Sequence, residues 1–187
     1  MDLADEKSRL RKQGFAARKI ANGDGLDAQA NAHLIKTVAA IPDVKSIAGY
    51  MPIRTEVSPL EAMSAWHGQG YEVSVPVIIA ESTPLKWAVW TPEGAMEEGA
   101  FGARIPKNAA FTTPDLLVCP LVAFDARGGR LGYGGGFYDR SLAELRRQKT
   151  TYAVGFAYSA QELPNVPQEQ TDLPLDCVVT ERGRRDF

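Results

Sequence analysis

The chain has 187 residues, 44% hydrophobic and 24% charged, with 21 basic against 23 acidic side chains and a formal charge of −2. These proportions match an ordinary globular protein and exclude a disordered or fibrous chain; at about 100–200 residues per domain they predict a single domain over 1–187. The charge balance lacks the basic excess of a nucleic-acid-binding protein, and no apolar run approaches the ~20 residues of a membrane span. Neither nucleic acid nor a membrane is therefore an expected partner.

In chain order, residues 2–21 predict a helix, in which Leu3, Leu10 and the alanines around Phe15 form an apolar stripe. Lys7, Arg9, Arg11, Lys12, Arg18 and Lys19 give it a basic face. Asn22, Gly23 and Gly25 end it, and Asp27 is placed to cap a second helix reaching Ala40. SIAGYM at 46–51 predicts a short strand closed by Pro52. Ser58-Pro59 predicts a third helix with Ser58 as N-cap and Pro59 at the first helical position, stopping near Gly68 and Gly70.

VPVIIA at 75–80, apolar on both faces, and KWAVW at 86–90 predict strands. Residues 91–114, interrupted by proline and glycine, predict a long functional loop. DLLVCPLVAF at 115–124 predicts a central strand leading into a turn, Phe137 to Arg147 a helix, and YAVGFA at 152–157 and LDCVVT at 175–180 the last two strands. Cys119 and Cys177 lie inside these apolar runs and read as small buried hydrophobes. His33 and His67 read as structural, and with so few ligands no zinc site is expected. The N-terminal MDLADEKSRLRKQ is charged rather than apolar, unlike a secretory leader, so the expected compartment is the cytoplasm. Strands alternating with helices predict an α/β fold: a single layered domain with a mostly parallel central sheet and helices on both faces.

The most informative segment, Arg130-Leu131-Gly132-Tyr133-Gly134-Gly135-Gly136, joins the strongest apolar run to the last helix. Its glycines remove side chains where a ligand can approach the backbone. The helix that follows presents unpaired N–H groups and a partial positive charge, which together suit a phosphate. Arg130 and Arg140 add cationic charge on either side, and Asp139 suits Mg2+, a hard cation that prefers carboxylate and phosphate oxygens. The spacing fits neither G-x-x-x-x-G-K-[ST] nor a dinucleotide fingerprint.

Pro120-Leu121-Val122-Ala123-Phe124-Asp125 followed by Arg130 through Asp139 resembles the signature of the 5-formyltetrahydrofolate cyclo-ligase family. Lys7-Ser8-Arg9-Leu10-Arg11, Tyr50-Met51-Pro52-Ile53-Arg54-Thr55-Glu56 and Asp172-Leu173-Pro174-Leu175-Asp176-Cys177-Val178-Val179-Thr180-Glu181 resemble further elements of that family, in order, from about Lys7 to Glu181. The resemblance implies conversion of 5-formyltetrahydrofolate and ATP to 5,10-methenyltetrahydrofolate, ADP and phosphate, with Mg2+. ATP is the co-substrate, and the formyl oxygen is phosphorylated on the way.

The resemblance also implies roles. ATP-binding residues are Lys7, Ser8, Arg9, Leu10 and Arg11 together with Arg130, Leu131, Gly132, Tyr133, Gly134, Gly135, Gly136, Phe137 and Tyr138. Lys7 and Arg11 share one helical face and reach the nucleotide, while the side chains of Arg9, Arg18 and Lys19 belong to the surface. Met51, Glu56, Tyr133, Gly134, Gly135, Gly136 and Phe137 bind the folate, Glu56 by accepting hydrogen bonds from its amino and ring N–H groups. Arg130 and Asp139 are catalytic, and Asp139 and Asp176 approach Mg2+. Phe101-Gly102-Ala103-Arg104-Ile105-Pro106-Lys107 departs from the family pattern by lacking an acid before proline. The expected partners are small molecules only, and a monomer is expected. Two alternatives stay open: a related α/β nucleotide-binding protein acting on another substrate, and a non-catalytic folate- or nucleotide-binding regulator.

Overall fold

The computed structural model describes residues 2–108 and 110–187; Met1 and Ala109, inside the predicted domain and loop, lie outside the described residues. The elements up to the long loop are α1 (Leu3–Asn22), α2 (Asp27–Ala39), β1 (Ser46–Ala48), α3 (Leu60–Gly68), β2 (Glu72–Val77) and β3 (Lys86–Val89). Then come β4 (Met96–Glu98), β5 (Arg104–Pro106), β6 (Phe111–Thr112), β7 (Leu116–Pro120), β8 (Ala123–Phe124) and β9 (Arg130–Leu131). The chain finishes with α4 (Phe137–Gln148), β10 (Tyr152–Phe156), β11 (Cys177–Thr180) and β12 (Gly183–Asp186).

The main sheet runs β12-β11-β10-β7-β1-β2-β3-β6. The pairings from β11 through β10, β7 and β1 to β2 are parallel, and those of β2 with β3, β3 with β6 and β11 with β12 are antiparallel. Two small hairpins, β4–β5 and β8–β9, stand apart from it.

Strand alternation explains why the middle runs are apolar throughout. Leu116 and Val118 of β7 enter one core, with Leu34 and Val38 of α2 and Met63 and Trp66 of α3. Leu117 and Cys119 enter the other, with Leu142 and Leu145 of α4. Cys119 and Cys177 are buried free thiols, and burial pushes them up to about 12 and about 11. Helix α1 packs against β8 and the short 3-10 helix Ser159–Gln161, across loops that follow β7 and β10. A Cβ on its Gly14 would stand 2.5 Å from the carbonyl oxygen of Val122, so the helix and the β7–β8 connection meet backbone to backbone.

Several boundaries differ from expectation. The 75–80 strand is shifted toward the N-terminus, as β2, because Glu72 and Val73 pair with Ser46 and Ile47. The 115–124 run breaks after Pro120: Val122 N–H donates to Leu131, and β8 leaves the sheet to pair with β9. The long loop contains the β4–β5 hairpin and the edge strand β6, and β12 follows the strand expected to be last. Pro59 occupies the cap position of α3, one residue later than read from Ser58. Asp27 is the first residue of α2, and its carboxylate accepts from Ser58 N–H at 3.1 Å and from the Tyr158 hydroxyl instead of capping its own helix.

At the amino ends of the parallel strands two acids act as staples. Asp115 accepts from the N–H groups of Lys45 and Ser46, both at 2.9 Å, and from Lys149 Nζ at 2.6 Å. Burial opposes its charge, yet these hydrogen bonds pull the carboxyl down to about 2. Asp176 accepts from Ala153 N–H at 2.7 Å and from Arg146, in the last turn of α4, at 2.8 Å. No helix among the described residues is long and apolar enough to cross a membrane.

Candidate functional site

Chain order reverses between β1 and β7: from β1 the chain adds β2 on one side, while β7, β10 and β11 follow on the other. In open α/β sheets ligands bind beyond the carboxyl ends of the strands at such a switch point. Here the loops leaving that point are residues 49–59, which contain Met51 and Glu56, and residues 121–136, which contain the glycine turn.

The glycine turn is built in two stages. Asp125 first closes the β8–β9 hairpin, accepting from Arg127 N–H at 2.9 Å and Gly129 N–H at 3.0 Å, and it also takes Val166 N–H at 2.9 Å. Burial opposes the charge, but these donors hold its carboxyl below the usual carboxylate range. The chain then bends through Gly134 (φ 103°) and Gly136 (φ 64°), where an L side chain is strained, and enters α4.

Cations surround the bend. Arg11 Nε donates to the Gly132 carbonyl at 2.9 Å, and Arg140 Nη2 to the Gly135 carbonyl at 2.5 Å. Arg130, only 9% exposed, donates to Asp139 Oδ1 at 2.5 Å and to the Leu173 carbonyl. Leu173 N–H donates to the same Asp139 oxygen at 3.0 Å. One residue earlier, Asp172 accepts from the buried Lys7 Nζ at 2.8 Å, and Glu169 stands 3.5 Å from that ammonium. Lys7, Asp172, Asp139 and Arg130 thus form a connected charged chain beside the first turn of α4.

The Glu56 loop is equally defined. Tyr50 donates its hydroxyl to the Val57 carbonyl at 2.6 Å, and a turn closes from Ile53 to Glu56. Glu56, 6% exposed, accepts from Ile53 N–H at 2.9 Å and from the Tyr133 hydroxyl at 3.0 Å. Burial raises its carboxyl above the usual value, against the pull of Ile53 N–H, Arg18 and Tyr133. The glycine turn and the Glu56 loop are therefore in direct contact.

Not every expected residue joins this site. Of the Lys7–Arg11 stretch, Arg11 faces the turn and Lys7 faces Glu169 and Asp172; Ser8 and Arg9 are exposed, and Leu10 is buried against Ala123, Leu131, Leu163 and Val166. Leu131 belongs to that same cluster, which removes its side chain from any ligand. Tyr138 turns to the α4 core, its ring 6.1 Å from that of Trp87 and edge-on to it, with its hydroxyl buried and unpartnered. Met51 is half-buried at the edge of the core under α2 and α3, and Phe137 lies beneath the Arg140 guanidinium.

Asp176 does not meet Asp139. The first sits at the amino edge with Arg146 in the last turn of α4, the second in the first turn of the same helix, so the helix separates them. Asp172 is the acid that lies beside Asp139. Arg18 is the other correction: it is 1% exposed rather than on the surface, and it binds Tyr133 and Thr55. Its position was readable, because Arg18 falls eleven residues after Lys7 and shares the stripe of Lys7 and Arg11 on a 3.6-residue helix. The departing segment forms the tip and second strand of the β4–β5 hairpin, with Phe101 77% exposed.

The architecture is that of an α/β enzyme with its loops gathered at the switch point of a mixed sheet. A family model described as the 5-formyltetrahydrofolate cyclo-ligase family matches residues 4–181. The 5-formyltetrahydrofolate cyclo-ligase of Haemophilus influenzae is 37% identical over 137 residues, covering 70% of this chain and 73% of that protein. Among solved structures, the 5,10-methenyltetrahydrofolate synthetase of Aquifex aeolicus superposes with a TM-score of 0.76 at 28% identity, covering 96% of this chain and 92% of that one. The Mycoplasma pneumoniae synthetase gives a TM-score of 0.72 at 26% identity, covering 94% and 98%. The chain belongs to the 5-formyltetrahydrofolate cyclo-ligase family and is an enzyme of that kind.

Proposed function

We propose that the protein converts 5-formyltetrahydrofolate to 5,10-methenyltetrahydrofolate, using ATP and Mg2+ and releasing ADP and phosphate. The observation that carries this reading is the hydrogen bond between Tyr133 of the glycine turn and Glu56. It brings the acid suited to a pterin edge to the bend suited to a triphosphate, so a formyl oxygen and a γ-phosphorus held by the two loops are neighbours.

The chemistry asks for little beyond that alignment. A formamide carbonyl is a poor electrophile and its oxygen a poor leaving group. Attack of the formyl oxygen on the γ-phosphorus, with ADP leaving, gives an iminium phosphate on the folate. N10 then adds to the activated carbon, closing the ring and giving up its proton, and cleavage of the C–O bond releases phosphate and leaves the methenyl cation. Positioning and charge neutralisation supply most of the catalysis in such a transfer. In this reading the bend offers backbone N–H groups to the phosphates, and Arg11 and Arg140 exchange its carbonyls for phosphate oxygens. Arg130 and Lys7 neutralise charge from either side. A cavity of about 480 Å3 that borders Asp172 and is lined by Asp125, Arg127, Pro167 and Gln168 offers room for the nucleoside end.

The donor set fits Mg2+. No group of three or more metal-binding side chains exists among the described residues, and Mg2+ typically takes one or two carboxylates with phosphate oxygens and water. Asp139 receives both of its hydrogen bonds on Oδ1, leaving Oδ2 for the ion, with Asp172 beside it. Held at Asp139, the metal would offset the negative charge of the phosphates. The direct test is a spectrophotometric assay of purified protein with 5-formyltetrahydrofolate, ATP and Mg2+. The methenyl chromophore should rise in step with ADP; ADP release without it, or binding without turnover, would remove this reading.

A further inference from the structure

Arg18 is a guanidinium taken almost wholly out of water, and its hydrogen bonds do not use all of it. Nη2 donates to the Tyr133 hydroxyl at 2.8 Å and Nε to Thr55 Oγ1 at 3.2 Å. Nη1 is buried with no hydrogen-bond partner; its nearest acid oxygen, Glu56 Oε1, lies 3.8 Å away, beyond hydrogen-bond reach. Leaving a charged donor unfilled in the interior is costly, and such a group is an expected place for a ligand atom. The rings of Phe15 and Tyr133 flank the guanidinium at 5.2 and 5.6 Å, which fixes its plane.

Tyr133 is the exposed part of this arrangement. It is 41% exposed and stands between Gly132 and Gly134, and its hydroxyl donates to Glu56 Oε1 while accepting from Arg18. Arg54 lies over its outer face, 5.8 Å from the ring centre. When Tyr133 leaves, one carboxylate acceptor and two guanidinium donors are uncovered side by side. The matching partner is a group with an N–H next to a C=O, which is the edge of a lactam.

We propose that Arg18 is a substrate-binding residue: its guanidinium donates to the carbonyl oxygen adjacent to the ring N–H that Glu56 accepts, with the Tyr133 hydroxyl holding that place in the free protein. The Glu56–Arg18 pair then selects a 4-oxo heterocycle over a 4-amino one, whose amino group would point donor hydrogens at a guanidinium. This rests on the assignment of Glu56 to the heterocycle.

The test measures dissociation constants, without ATP, for two probes: 5-formyltetrahydrofolate and a 2,4-diaminopteridine carrying the same benzoylglutamate tail. Arg18→Met should weaken the oxo probe about 10- to 100-fold, as expected for loss of a charged hydrogen bond, while the diamino probe changes less than about 3-fold or tightens. Equal losses for both probes, with ATP affinity intact, would reduce Arg18 to a structural prop and overturn the proposal. Should Arg18→Met fail to fold, the wild-type protein decides. The stretch of a 13C-labelled C4 carbonyl should move to lower frequency on binding, and an unmoved band counts against the contact. If neither probe binds the wild type, the Glu56 assignment falls and this inference with it; tight binding that depends on Glu56, with equal losses in Arg18→Met, sinks the role of Arg18 alone.

Discussion

Asp115 and Asp176, at the amino edge of the sheet, accept backbone N–H groups of neighbouring strands and each hold one half-exposed cation. At the carboxyl edge Glu56, Asp139 and Asp172 each face a buried cation: Arg18, Arg130 and Lys7. The first pair ties strands together and its binding capacity is consumed by the fold. The second group keeps oxygens or guanidinium nitrogens in reserve, at the end where chain order reverses. Asp125 is the exception on that side, since three backbone N–H groups take up its carboxylate. The contrast teaches that an acid's employment is set by which end of a strand it occupies, and neighbours in sequence such as Asp172 and Asp176 fall to opposite roles.

Substitutions at the two edges can break or sharpen this contrast. The largest effect is expected from Asp139→Ala, which should lower kcat/KM for methenyl formation about 1000-fold in the protein that remains folded, the unpaired, buried Arg130 also costing stability; near-normal turnover at limiting Mg2+ would take Asp139 out of the site. Gly132→Ala should come next. Gly132 has open space around its Cβ direction and no left-handed φ, so the free protein accepts the methyl group. Its ATP dissociation constant, measured by calorimetry, should nevertheless rise about 10-fold if phosphate approaches the backbone there, and an unchanged value would place the triphosphate elsewhere.

At the amino edge the readout should be stability. Asp115, lowered from 3.8 to about 2, contributes about 2 kcal/mol above pH 4, and that contribution disappears as pH falls through about 2. Asp115→Asn should therefore cost about 2 kcal/mol in urea at pH 7, converge with the wild type in acid, and leave kcat of the folded enzyme intact. Asp176→Asn should do least: its pair with Arg146 is half-exposed, worth less than about 1 kcal/mol, and activity should stay within about twofold. A loss of activity as deep as that of Asp139→Ala would erase the division between the edges.

The middle of the sheet was legible because the two cores demand apolar residues on successive positions of β7, β10 and β11. The glycine turn was legible for the opposite reason, since so many missing side chains between a strand and a helix have few structural uses. The edges were not. Strands β4, β5 and β12 carry charged residues such as Glu97, Arg104 and Arg185, cover little and alternate poorly, so their pairing depends on the rest of the fold. At Arg18 the helical stripe shared with Lys7 and Arg11 gave its direction, but its burial was not legible, because the carboxylate and phenol that surround it are distant in sequence. That Asp172 pairs with Lys7 while Asp176 pairs with Arg146 at the far end of α4 depends on the position of that helix, which no spacing encodes.

Helix α1 carries Lys7, Arg11 and Arg18 to three different points of the site, yet it is seated against the β7–β8 connection at Gly14. A methyl group there has nowhere to go except against a carbonyl, so the helix would have to lift as a rigid rod. Three positive charges would then withdraw in concert. One hydrogen atom in place of a methyl thereby sets how far the helix stands from the loops that its three cations contact.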